Sequence, residues 1–305
     1  MKIGVQSSNI LDRLGIDEGF KVIKEAGFDC VDMNIDHLYP GGDIVNGRPD
    51  VRFQGTDEEI LEMCRPYKEA AEKYGISISQ AHAPFPFYTK NEAGNAYVMH
   101  AVKKCLMICE YLSCPYLIVH PCFLGYGDQL DTEEEWRINM ERYDELIPYA
   151  KKHHVGICLE NMFGVHNGKV YAAICSNMEE AVCYIDELNE RAGEEIFSFC
   201  FDIGHAVLCS VELTRAFEAL GNRVKTLHVH DNDGRNDQHL FPFMGICDWN
   251  RFVEGMRSID YQDVVISFET FNGLNAVDAE LTKEALTFLA ATGKLFARRI
   301  ETKEE

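Results

Sequence analysis

"FCFDIGHAVLC", residues Phe199–Cys209, begins as a buried strand should and then stops on charge. Aromatic and small apolar side chains lead up to Asp202, and His205 follows three residues later. A polar turn after a strand would account for such a pair. So would a metal or acid–base centre, which needs a carboxylate and an imidazole held at the end of a rigid element. What stands at the ends of the other strands decides between the two.

The run Ile196–Asp202 is one of eight. The others are Ile3–Gln6, Cys30–Asn34, Ile76–His82, Tyr116–His120, Val155–Glu160, Val224–His230 and Val264–Glu269. Each is short, apolar and polar at its end, and amphipathic helical segments lie between them. Thr56 with Glu59, Thr132 with Glu135 and Ser176 with Glu179 fit capping boxes, and Gly75 and Gly193 stand where two helices should close. Strands alternating with helices predict right-handed crossovers and a parallel sheet. Eight repeats in a chain of 305 residues predict an α/β fold, a (β/α)8 TIM barrel that occupies residues 1–305 as a single domain. An open doubly wound sheet is the alternative, but "SSNILDRLG" after the first strand is no glycine-rich phosphate turn.

Strand parity agrees with a barrel. Gly156, Cys158 and Glu160 share one face of their strand. So do Ser198, Cys200 and Asp202, then Thr226, His228 and His230, then Val265, Ser267 and Glu269. The face that ends in charge is small or weakly polar, as a barrel interior below a polar mouth would be. The opposite face is Ile, Leu, Phe and Val, suited to packing against helices.

Composition removes several classes. The net charge of −21 argues against gripping a polyanion, so no nucleic-acid partner is expected. The longest apolar stretch, "CLMICEYLSCPYLIVHP", is broken by Glu110 and Pro115 and is too short to span a bilayer. No signal peptide is visible, and the twelve cysteines form no CxxC pair. They read as buried thiols, and the expected location is the cytoplasm.

In a barrel, the carboxyl ends of all strands meet at one mouth, where barrel enzymes keep their active sites. Those ends carry His82, His120, Glu160, Asp202 with His205, His228 and Glu269, and the loop "HVHDNDGRNDQHL" adds His230, Asp231, Asp237 and His239. Any one of these alone is unremarkable. Crowding them around one cavity is costly unless a cation compensates them, so the set predicts a divalent metal site. Glu160 and Glu269 approach from strands five and eight. They could remove and return a proton on opposite faces of a bound molecule, while a metal polarises its carbonyl and stabilises an enediolate. His37, His100, His153, His154 and His166 lack the pattern.

"HAPF", "VHP", "LEN", "FDIGH", "HVHDND", Asp237-x-His239 and "SFE" resemble the xylose isomerase-like barrel superfamily over strands three to eight. The resemblance implies two competing sites. In ketose 3-epimerases and related isomerases, one manganese, cobalt or magnesium is held by the residues matching Glu160, Asp202, His228 and Glu269. The two glutamates are catalytic there, and the residue matching His205 contacts the sugar. In the endonuclease IV type, two or three zinc ions also take the residues matching His82, His120, His205, Asp237 and His239. A shift of two positions would make His230 the seventh-strand ligand; otherwise it is a weak candidate for substrate contact.

The absence of a basic stripe favours a sugar or sugar phosphate isomerase or epimerase with a small-molecule substrate. The alternatives are a multinuclear zinc phosphoesterase and a dehydratase or lyase of the same superfamily. Arg223, Lys225 and Arg235 are the basic residues expected near the mouth, too few to require a phosphate. The loop Tyr39–Glu59 could act as a lid. Homo-oligomers are common among such relatives.

Overall fold

The computed structural model describes residues 1–38, 41–48, 54–124, 131–259 and 264–302. Eight parallel strands run β1 Ile3–Gln6, β2 Cys30–Asn34, β3 Ser77–His82, β4 Tyr116–Ile118, β5 Gly156–Glu160, β6 Phe197–Asp202, β7 Val224–His228 and β8 Ile266–Phe268. Each pairs with its sequence neighbour, and β8 also pairs with β1. The ring closes between β7 and β8 through the parallel bridge Val229–Phe268, where Val229 N donates to Ser267 O at 2.9 Å. All eight strands fall within the runs read from sequence. Three of those runs overshoot: His120, His230 and Glu269 lie just past their strands.

The alternation separates two apolar regions. Outward side chains such as Phe199, Phe201 and Phe268 are fully buried against the helical layer. Removing one such ring from water contributes about 2–3 kcal/mol. Inside the ring, Ile118, Cys158 and Cys200 form a separate cluster against Tyr116. Gly156 is required there, because a Cβ would lie 2.8 Å from the Tyr116 ring. All twelve cysteines are free thiols, most of them buried.

The helix Asp57–Tyr74 has the full capping box of Thr56 and Glu59 and ends on Gly75 at φ 63°. Two caps differ from expectation by one residue. Asp131, not Thr132, caps Thr132–His153, and Asn177, not Ser176, caps Met178–Ala192. Asp and Asn place an acceptor close to the first free N–H groups, and they displace the hydroxyls that precede or follow them. An antiparallel hairpin, Phe163–His166 with Lys169–Ala172, follows β5 and was not expected. Its signal was legible: Asn167-Gly168 between alternating side chains, with φ 51° and 72°, is a two-residue hairpin turn.

Arg223 and Lys225 do not lie near the mouth. They stand at the start of β7, the opposite end of the barrel, and Arg223 pairs with Asp186 at 2.7 Å. Of the loop Tyr39–Glu59, residues 39–40 and 49–53 lie outside the described residues, and Gly41–Val45 is a short helix. Among the described residues, no helix is long and apolar enough to cross a membrane.

Candidate metal centre

Each expected residue reaches the mouth by a local rule. His82, Glu160, Asp202 and His228 are the last residues of β3, β5, β6 and β7, on the inward face. Asp202 also caps the helix Ile203–Leu208, accepting from His205 N at 2.7 Å, and this turn brings the His205 ring back over the strand ends. Asn161 joins β5 to β6: its side chain donates to Asp202 O and accepts from Asp202 N, both at 2.8 Å. Asp231 fastens the long loop after β7. Its main chain pairs with Leu240, and its carboxylate accepts from Cys247 N at 3.0 Å and Trp249 Nε1 at 3.3 Å. The loop therefore folds back and sets Asp237 and His239 over the mouth.

The structure brings all nine of these side chains together. His228 Nδ1 lies 3.4 Å from Glu160 Oε1, 3.7 Å from Asp202 Oδ2 and 3.5 Å from Glu269 Oε2. His120 Nε2 is 3.5 Å from Glu160 Oε2, and His82 stacks against His228. His205 Nε2 is 3.6 Å and His239 Nε2 2.8 Å from Asp237 Oδ2. Most of these separations are too long for hydrogen bonds. They match the edges of a coordination tetrahedron, about 3.4 Å when each ligand lies ~2.1 Å from a metal.

The unpartnered atoms agree. His228 Nδ1, Glu160 Oε2, His120 Nδ1 and Asp237 Oδ1 are buried without a hydrogen-bond partner. Two ligand groups meet at His228: His82 with Glu160, and Asp202 with Glu269. Two more meet at His230: Asp202 with His205, and Asp237 with His239. The donor set fits one divalent cation at Glu160, Asp202, His228 and Glu269, and has further groups beside it.

Four rings have one nitrogen already committed. His82 Nδ1, His205 Nδ1 and His239 Nδ1 face the carbonyls of Ala83, Asn161 and Glu269 at 2.9, 2.8 and 2.9 Å. Each Nδ1–H donates there; in the neutral ring this leaves the Nε2 lone pair of His82 and His205 for a cation, while His239 Nε2 donates to Asp237 Oδ2 at 2.8 Å. His228 is reversed: Nε2 faces Asp32 Oδ2 at 3.1 Å, and Nδ1 faces the carboxylates. Fixing the tautomer through the second nitrogen is the usual way a ligating histidine is oriented.

His230 does not line the cavity. It is fully buried behind Asp202, with Nε2 3.2 Å from Asp202 Oδ2, and its ring stacks on His239 at 4.0 Å. Gly204 makes room for it; a Cβ there would lie 1.9 Å from the ring. His228, not His230, faces Glu160 and Glu269, so the two-residue shift in register does not apply.

The cavity above these residues measures about 240 Å³. Glu160, Glu269, His82, His120, His205, Asp237 and His239 form its polar floor, and Phe85, Phe123, Phe163 and Phe271 form an aromatic wall. The unexpected hairpin contributes Phe163. Among the described residues, no Lys or Arg lines it.

Burial and neighbours move the titrating groups apart. Burial raises the Glu160 carboxyl, but His228 and His120 outweigh it and hold Glu160 well below the usual range. Burial wins at Glu269, whose carboxyl is raised although His228 and His239 oppose it. Burial pushes the His120 imidazole down to about 3, so that ring is neutral. Burial also depresses His205 and His239, yet carboxylates reverse it. Asp202 and Asp237 raise His205 well above its ordinary value, and Asp237 and Glu269 raise His239 to about 9.

Fold and site together define a (β/α)8 barrel with a carboxylate–imidazole centre at its carboxyl-terminal mouth. The chain belongs to the xylose isomerase-like TIM barrel family, which it matches over residues 20–292. It is 28% identical over 242 residues to the uncharacterized protein MJ1311 of Methanocaldococcus jannaschii, covering 76% of this chain and 78% of that one. A solved D-tagatose 3-epimerase-like protein superposes with a TM-score of 0.64 at 19% identity, over 96% of this chain and 99% of the other. The IOLI protein, solved with a bound zinc atom, superposes with a TM-score of 0.71 at 16% identity, over 98% of each chain.

Proposed function

We propose that this protein is a divalent-cation-dependent isomerase or epimerase of an unphosphorylated sugar. One observation carries the reading. Glu160 and Glu269 enter the same small cavity from strands with two others between them, and their proton affinities are displaced in opposite directions. Paired titrating groups pushed apart in this way mark an acid and a base.

Glu160, held as a carboxylate, takes a proton from the carbon beside a carbonyl. Glu269, which holds a proton more readily, returns one from the other side. Glu160, Asp202, His228 and Glu269 would hold a divalent cation, which would supply Lewis-acid polarisation of that carbonyl when bound. The aromatic wall excludes water and packs the apolar edge of the sugar. A phosphate ester would need a cationic partner, and no Lys or Arg lines the cavity among the described residues. The likeness to a D-tagatose 3-epimerase-like protein and to the zinc-bound IOLI protein supports the reading by analogy.

The test is incubation of the metal-loaded protein with a panel of free ketoses in deuterium oxide. One ketose is expected to incorporate deuterium and yield its epimer or isomer by NMR. Inertness across the panel at saturating manganese, cobalt, magnesium or zinc would end this reading.

A second reading rests on the groups around His205, Asp237 and His239. Two imidazoles beside one carboxylate suit further zinc ions and phosphoester hydrolysis. Elemental analysis separates the two: one ion per chain supports the isomerase, and two or three zinc ions favour the hydrolase.

Cation binding should also be coupled to protons. Without a cation, burial depresses the His228 imidazole but the Glu269 and Glu160 carboxylates outweigh it and hold it well above its ordinary value, and ligation through Nδ1 requires that proton to leave. Binding at pH 7 is therefore expected to release protons. Affinity should rise with pH until His228 has lost that proton. Calorimetry in buffers of different ionisation enthalpy measures this; zero proton release would contradict it.

A further inference from the structure

Asp32 sits beneath the mouth, in the middle of β2, on the inward face. It is buried, at 1% exposure, and among the described residues no Lys or Arg side chain is paired with it. Its Oδ2 meets two donors, His228 Nε2 at 3.1 Å and Gln80 Nε2 at 2.9 Å. Gln80 also donates to the Leu227 carbonyl at 3.2 Å, next to His228 in β7, and so ties Asp32 to the strand that carries the ring. Asp32 Oδ1 has no hydrogen-bond partner.

A buried carboxylate with one free oxygen is expensive, and packing could be met here by an apolar residue. Its geometry answers a specific need. His228 turns Nδ1, not Nε2, to the carboxylates, and that nitrogen is within reach of Glu160, Asp202 and Glu269 together. Without an acceptor at Nε2, the ring has no reason to keep its proton there.

We infer that Asp32 is the positioning residue of the metal centre, holding His228 in the Nε2-protonated tautomer that turns its Nδ1 lone pair to the cation. Gln80 fixes the carboxylate in place. The inference rests on the metal reading of the site and not on which sugar is turned over.

Two variants test it, Asp32→Asn and Asp32→Leu, with affinity for manganese and for zinc measured by chelator competition in the absence of sugar. The Asn side chain keeps an acceptor and loses the charge, so affinity should fall about tenfold. The Leu side chain removes both, and affinity should fall about a hundredfold, the range in which outer partners of metal-bound histidines act. Nitrogen-15 spectra of the zinc-loaded wild type should show His228 protonated at Nε2, and the zinc-loaded Leu variant should lose that preference.

Unchanged affinity in the Leu variant, or wild-type His228 protonated at Nδ1, would overturn the assignment. If the Leu variant does not fold, Asp32→Asn decides: affinity within twofold of wild type overturns it. Loss of cation affinity in the two variants, beside a wild type that binds the cation but turns over no sugar, would leave this assignment standing and remove only the epimerase reading.

Discussion

Glu269→Gln is expected to lower interconversion of the two sugar epimers by about 10³-fold or more at saturating cation, with sugar binding retained. Glutamine keeps the shape of the side chain and its contact with the mouth but can neither take nor give a proton at neutral pH. Glu160→Gln should do the same from the other side. The two variants differ in a useful way. Exchange of solvent deuterium should vanish for both epimers as substrates, except for a residual rate from the one epimer whose proton faces the intact glutamate. That epimer should be opposite for the two variants. Both variants also lose one charged ligand, so cation content must be restored and measured before the rates are compared. Exchange within tenfold of wild type in both variants, or equal residual exchange from both epimers, would eliminate the two-glutamate mechanism.

Loading the site with its cation should raise the thermal midpoint by roughly 5–15 °C. Ligand concentrations of 100 to 1,000 times Kd contribute about 2.7–4.1 kcal/mol, and each kcal/mol shifts a chain of this size by about 2–4 °C. The physical source is the crowding of Glu160, Asp202 and Glu269 around one imidazole nitrogen, all nearly without solvent. Excess chelator should return the midpoint to its lower value. In His228→Leu, the cation should produce a shift of 2 °C or less, because the shared ligand is gone. A full shift in that variant would mean that the stabilising ion binds elsewhere, and the four-residue assignment would fall.

The eight strands, their order and the nine residues at their mouth were legible because the signals are local. Side chains alternate with a period of two, so Cys158 and Cys200 declare one face and Phe199 and Phe201 the other. Thr56 with Glu59 and Gly75 punctuate a helix within a few residues of its ends. Even the hairpin that brings Phe163 to the cavity was written in Asn167-Gly168 and was overlooked. Arg223 and Lys225 were misplaced although chain direction already puts them at the amino-terminal start of β7, the end opposite the mouth.

Tertiary structure alone decided the chemistry of each ring. Asp32 and His228 are 196 residues apart, and no local pattern says that one will meet the Nε2 of the other. Asp231 folding the loop onto Cys247 and Trp249, and His230 retreating behind Asp202 into the space left by Gly204, likewise depend on contacts between distant strands. Residue type and position follow from the chain's own periodicity. Which nitrogen faces a cation, and which carboxylate keeps its proton, follow from neighbours that only the closed barrel brings within about 4 Å.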